Sequence, residues 1–542
     1  MIFCCKFAFF KNRVNISAYK FERSHKFIPK NKFEMPKGEH KMNSKDLMTD
    51  VRVNMPLLKR DISSDISEDF ILADYLPEIR KVLYVRENLL PPAKFVSGNK
   101  IDVNGVIDYT LVYVSGEGKL ASAPLSAEYS FSLPLENASE FELSEGLTIM
   151  AHSVAHSSSV RVSAPRRLQL RSHVQTAICV FGKMLCKERV SGLVSEEGVE
   201  RLRARAESAE LFLESSDVIT ISEEYTLPSA QSEVDFADAC VSIVSARSED
   251  SVVSVSGELS LKLLVTDGAE NIERVQRKIP FEAETDIDTA ELSENCTIRA
   301  FGTITELTVD IGDEGKAMIE ANIVLEICSA ANLEFEYTKD MYSTEQKAEC
   351  SSRELYLPRV LLNKTDKISC SEKIGREELM IPENAELVDV CATPVFESCA
   401  VDSGKYLIRG NVKYDVLWES EGEYGSSQIS LPLKYECAAE EEMLPDCADM
   451  LGSACGIRMR ADRESIGIDC DIDVAFTLFG SQPVSMLEKA EFSESHGESV
   501  GSFIVCYPYP DDTLWSIAKR YSVRQSDVSG DPESDSFVII EI

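Results

Sequence analysis

The stretch KIDVNGVIDYTLVYV (residues 100–114) decides how this chain is read. Ile101, Val103, Gly105, Ile107, Tyr109, Leu111 and Tyr113 occupy its alternate positions, with Asp102, Asn104, Asp108 and Thr110 between them. Period two is the signature of a strand with one face buried. The pattern returns at 252–266 (VVSVSGELSLKLLVT) and at 405–419 (KYLIRGNVKYDVLWE). Each copy carries a glycine at the third site of its apolar face, at 105, 257 and 410, so the separations are 152 and 153 residues. A glycine inside a strand marks a bulge, a bend or a close approach.

Two further landmarks keep the same period. Leu76-Pro77, Leu227-Pro228 and Ile381-Pro382 precede the glycines by about 28 residues. A second alternating strand follows each glycine, at 168–181, 317–330 and 466–479. A period near 150 is too long for a solenoid repeat, so each copy is expected to be a whole domain. Short alternating strands with turn signals such as Ser115-Gly-Glu-Gly118 read as antiparallel β-sandwich-like units with little helix. The best helix candidate is Glu196 to Glu214, rich in Glu, Arg, Ala and Leu, as a joint between the first two copies.

The expected organisation is a basic, disordered leader (1–70), β units at 71–222, 223–374 and 375–490, a linker (491–501) and a terminal module (502–542). Residues 1–41 hold ten basic residues against three acids, with no uninterrupted apolar core or cleavage site of a signal peptide, and Met42 is an alternative start.

The fold class is therefore mainly β: three tandem repeats plus a small βααβ module. In that module Phe503–Cys506 reads as a strand, Asp512 as a helix N-cap and Phe537–Ile540 as a closing strand. Leu514, Ile517, Ala518 and Tyr521 make a stripe of helical period, while Lys519 and Arg520 lie in the last turn, where they suit the helix dipole. Trp515 falls about 100° off that stripe, and two readings are open for it: an exposed anchor for a partner, or a cap on a small core.

The 542 residues carry 56 Lys+Arg and 92 Asp+Glu, a net charge of −36, which disfavours nucleic acid and anionic lipid as partners of the whole chain. No stretch approaches 18 uncharged apolar residues. The 16 cysteines show neither CxxC pairs nor zinc spacing and read as reduced and structural, pointing to a cytosolic compartment. His152 and His156 lack the acidic third ligand of a zincin helix. Gly116-Glu-Gly118 and Gly312-Asp-Glu-Gly315-Lys316 read as turns, and no GxSxG elbow occurs. No cofactor, metal site or catalytic group is expected.

The β copies resemble the SPOCS domain, an all-β family of endospore-forming clostridia. The residues that carry the likeness are KIDVNGVIDYTLVYV at 100–114, SAPRRLQLRSHV at 163–174 and Asp340-Met-Tyr-Ser-Thr344. Copies two and three lack the Pro165-Arg166-Arg167 step. The run DTLWSIAKRY at 512–521 closely resembles the start of a LysM module, although Asp511 stands where that family has a glycine and the second helix, from about Val523 to Ser529, is short. Asp512, Thr513, Trp515, Lys519 and Arg520 are the candidate partner- or glycan-binding residues. The combination is similar to the SipL-like spore coat morphogenetic proteins. That resemblance implies a non-enzymatic mother-cell scaffold whose LysM module docks the ATPase coating the forespore. The alternative is a LysM protein that holds peptidoglycan at the wall or cortex.

Overall fold

The computed structural model describes residues 50–135, 146–191, 198–227, 232–249, 252–267, 271–286, 296–312, 315–439, 443–495 and 503–541. The expectations for residues 1–41 and Met42 lie outside the described residues. The structure is mainly β, built from antiparallel sheets.

Three successive runs of strands share one connectivity. The first contains β1 (Asp50–Ile71), β2 (Ile79–Leu89), β3 (Ala93–Ser97), β4 (Lys100–Ser115), β5 (Leu120–Pro134), β6 (Leu147–Ala164) and β7 (Arg167–Lys187), followed by the short β8 (Arg189–Ser191). The second contains β9 (Val199–Ser215), β10 (Ile219–Thr226), β11 (Glu233–Glu249), β12 (Val252–Thr266), β13 (Ile272–Asp286), β14 (Thr297–Ile311) and β15 (Lys316–Ser343). The third contains β16 (Gln346–Gly375), β17 (Glu386–Asp402), β18 (Lys405–Ser420), β19 (Glu423–Ala438), β20 (Cys447–Ala461) and β21 (Ser465–Ser495).

In each run the glycine-bearing strand is the centre of one sheet: β4 between β2 and β5, β12 between β11 and β13, β18 between β17 and β19. The last strand is the centre of another: β7 between β1 and β6, β15 between β10 and β14, β21 between β16 and β20. Alternation explains why the two sheets stack. One face of β4 presents Ile107, Tyr109, Leu111 and Tyr113 to Leu168, Leu170 and Val174 of β7. Val253, Val255 and Leu259 meet Ala321, Ile323 and Leu325 in the second pair. Ile408, Val412, Tyr414 and Val416 meet Ile466, Ile468, Ile472 and Val474 in the third.

The glycines mark close approach. Gly105 and Gly257 face Tyr129 and Phe281 across their rungs, and a Cβ on either would collide with the ring. At Gly410 the intruder is backbone, the Val395 carbonyl beside the bulge between Phe396 and Ser398.

The three sheets centred on the glycine-bearing strands β4, β12 and β18 join edge to edge in a closed ring. Ser122 Oγ on β5 donates to the Asp235 carbonyl of β11 at 2.7 Å. Arg274 on β13 meets Asp389 of β17 at 3.0 Å. Ser426 Oγ on β19 donates to the Leu83 carbonyl of β2 at 2.5 Å. Val112, Leu264 and Leu417, spaced like the three glycines, share one apolar cluster at the centre of that ring. Lys262 is buried beside them, 2.7 Å from Asp389 and 3.4 Å from Asp238. Buried ions persist because each is paired.

Several expectations are corrected. The segment expected as a helix at Glu196 to Glu214 is strand β9, which pairs with the distal half of β15. Leu202, Ala204 and Ala206 alternate with Arg201, Arg203 and Arg205, and tertiary pairing overrides the helix-favouring composition. The leader does not extend to residue 70, because β1 begins at Asp50 and pairs along β7. The boundaries at 222 and 374 fall too late, since β10 and β16 are the outer strands of the sheet pairs that follow them. The cysteines are not all reduced: Cys179 is bonded to Cys447 and Cys240 to Cys455, so the third sheet pair is tied to each of the others. Among the described residues no helix is long and apolar enough to cross a membrane.

Candidate functional site

The C-terminal module contains β22 (Phe503–Cys506), α1 (Leu514–Tyr521), a 3-10 turn (Gln525–Asp527), β23 (Val528–Ser529) and β24 (Val538–Glu541). The expected second helix is only that turn, and a short strand follows it. β24 lies between β22 and β23, antiparallel to both.

The helix starts one residue later than expected. Thr513 is the N-cap: its Oγ1 accepts from the Ser516 amide at 3.2 Å, and Ser516 Oγ accepts from the Thr513 amide at 2.9 Å. This reciprocal pair satisfies two orphan donors of the first turn. Asp512 is buried just before the cap. It accepts from the Tyr509 amide at 2.9 Å and is gripped by the Arg520 guanidinium. The bond from Arg520, followed by that from the Tyr509 amide, holds the Asp512 carboxyl below the usual carboxylate range. Arg520 also stacks over Tyr509 at 5.4 Å.

The apolar stripe is rotated from its expected position. Ile517 and Ala518 are fully buried, but Leu514 is 38% exposed and Trp515 only 8%. Trp515 packs edge-on against Tyr342 at 4.8 Å between ring centres, and its Nε1 donates to Asp340 Oδ2 at 2.8 Å. Lys519 Nζ reaches both oxygens of Asp340, at 2.6 and 2.7 Å. The Tyr342 hydroxyl donates to the Val523 carbonyl at 2.8 Å, and burial pushes its phenol above the ordinary range. Asp340 and Tyr342 stand at the far end of β15, so the module is clamped to the body through them. Of the five candidate residues, the structure brings Asp512 and Arg520 together and commits Trp515 and Lys519 to Asp340. Thr513 is exposed and capping.

The opposite side of the module is open. Cys506, Val538 and Ile540 point into its core, so alternation turns Phe503, Val505, Phe537 and Ile539 outward. Val505 and Ile539 share a rung, and Tyr507 packs edge-on against Phe537 at 6.4 Å. Tyr507 is 72% exposed. The sequence held the signal in FIVCY and FVII, runs apolar on both faces in a module with helix enough to cover one.

Two concave places on the body gather polar side chains. A cleft of about 510 Å³ between the first and third sheet pairs is lined by His152, His156, Glu397, Cys399 and Asp449. Burial works against the Asp449 charge, but Arg299 at 2.6 Å holds its carboxyl below the usual range, while burial lowers the His152 imidazole. The Asp449 carboxylate is thus spent on an ion pair. A groove of about 320 Å³ between the second and third pairs gathers Lys262, Arg274, Arg277 and Lys278. These cations are engaged by Asp389, Tyr225 and Glu258. Among the described residues no cluster of His, Cys, Asp and Glu is arranged to hold a metal ion.

No family model matches the chain, and no curated protein or solved structure matches it.

Proposed function

We propose that the chain is a non-enzymatic scaffold: three copies of one β domain that present a LysM-like docking module. The reading follows the likeness to SPOCS-plus-LysM spore coat proteins. It assigns the protein to the mother-cell side of the forespore surface, where the module docks a morphogenetic ATPase. The observation that carries it is the two-sided module, clamped to the body by Asp340 and Tyr342 on one side and offering aromatic side chains to solvent on the other. A rigid body with one fixed adhesive end suits an adaptor, since preorganisation lowers the entropic cost of binding. The repeat assignment is supported by the shared connectivity and by glycines placed at the same site of three central strands. Four paired cysteines remove the thiol argument for a cytosolic site, so that assignment rests on the family likeness alone.

The test is capture from sporulating cells with the full chain and with a chain ending at Ser495, which keeps all three sheet-pair cores. Loss of the ATPase with the module supports the proposal. Equal capture by both chains refutes it. Retention of the full chain on purified sacculi, with no protein captured, would favour the peptidoglycan-binding alternative.

A further inference from the structure

We infer that the outer face of the terminal sheet, formed by Phe503, Val505, Tyr507, Phe537 and Ile539, docks a protein surface with an apolar centre and a rim of lysine and arginine. This deepens the reading of the module as a docking unit and rests on it.

The apolar centre follows from strand geometry. β22 and β24 alternate, and their inward residues already fill the small core around Ile517 and Ala518. The outward residues touch one another across the rung Val505–Ile539 and through the ring pair Tyr507–Phe537. Aromatic side chains carry roughly 150–250 Å² each, so the five together expose on the order of 500 Å². Matched by a partner, that is about 1,000 Å² in total, the lower bound for a specific interface. A patch of this size matches the largest apolar patch on a typical monomer, which is often functional.

Charge selects the occupant. Residues 503–541 hold seven acids and three bases. Lys519 is bound to Asp340, Arg520 to Asp512, and Arg524 is engaged as well. Glu541 sits across the rung from Phe503, beside the face. Asp531, Glu533 and Asp535 lie in the turn that leads into Phe537: the Asp531 carboxylate accepts from the Glu533 amide and the Ser534 hydroxyl, and the Asp535 carboxylate accepts from the Asp531 amide. The rim is therefore anionic. A second copy of a chain with net charge −36 would bring two such rims together within a Debye length, which is unfavourable. A cationic rim on the partner is the complement.

The experiment titrates the full chain with a dye-labelled 18-residue amphipathic peptide of leucine and lysine, at low and high salt. Leucine–glutamate and serine–lysine peptides serve as controls. The leucine–lysine peptide should bind, weaken as salt rises, and bind at least tenfold more weakly to the Tyr507→Ser, Phe537→Ser double variant. A second variant, Asp535→Lys with Glu541→Lys, keeps the rings and should lose the peptide to a similar extent, which covers misfolding of the first. Equal binding by either variant overturns the inference, as does equal binding of the serine–lysine peptide. So does a dimer of the full chain that the double variant abolishes, or retention on purified sacculi that the double variant loses. If truncation at Ser495 abolishes ATPase capture and the double variant does not, this inference fails while the docking role stands. If truncation changes nothing, both fail.

Discussion

Trp515 and Tyr507 belong to the same small module and have opposite surroundings. Trp515 is 8% exposed, packed on Tyr342 and bonded to Asp340, whereas Tyr507 is 72% exposed and meets the Phe537 ring edge-on. An aromatic residue off the apolar stripe of its own helix is not thereby free for a partner. In a tethered module the first surface it meets is its own chain. The lesson is that an anchor must be sought on the face that the rest of the protein leaves open.

Variants can break this comparison. The largest effect is expected for Trp515→Ala, which removes a buried aromatic ring and leaves Tyr342 against a void. It should cost about 3–5 kcal/mol in the unfolding of the module, read by amide exchange across α1. A cost below about 1 kcal/mol would mean that Trp515 is not a core residue. Asp340→Ala comes next. It strips a charge-assisted partner from Lys519 and the acceptor from the indole, for about 1–3 kcal/mol of docking. Exchange should rise in α1 while the melting of the body is unchanged. Leu514→Ala should cost less than about 1 kcal/mol, because its side chain lies at the surface. The stripe read from periodicity alone expects that substitution to unfold the module.

Acid gives the smallest and most selective test. The Asp512 carboxyl titrates below its unfolded value, so its bond to Arg520 contributes stability at neutral pH. That contribution begins to fall below about pH 4 and is lost as the pH drops through the depressed folded value. Asp512→Asn should flatten this part of the acid limb of the module's unfolding curve. An unchanged acid limb would contradict the assignment.

Much of the body was legible because period two is robust. The odd positions of β4 are buried where alternation puts them, and the glycines mark rungs where a ring or a carbonyl intrudes. The unit boundaries fall too late because Leu227 and Ile381 follow the outer strands β10 and β16 rather than opening them. β9 reads as a helix because Arg, Glu, Ala and Leu favour helix in isolation, while its pairing partner β15 lies more than 100 residues on. The disulfides could not be read locally: Cys179 and Cys447 are 268 positions apart and meet only when the first and third sheet pairs come together. The terminal site was half legible. The DTLWSIAKRY run marks the module and Asp340-Met-Tyr stands out as a motif, but nothing in sequence joins Trp515 to Asp340.

Hydroxyl-radical footprinting of side chains separates the clamped ring from the open face, because it reads each aromatic ring in the intact chain, free and in complex with the captured partner. Phe503, Tyr507 and Phe537 should oxidise readily in the free chain and become protected on binding, while Trp515 should be protected in both. Ready oxidation of Trp515 in the free chain, with protection appearing there and not at Tyr507 or Phe537, would contradict this.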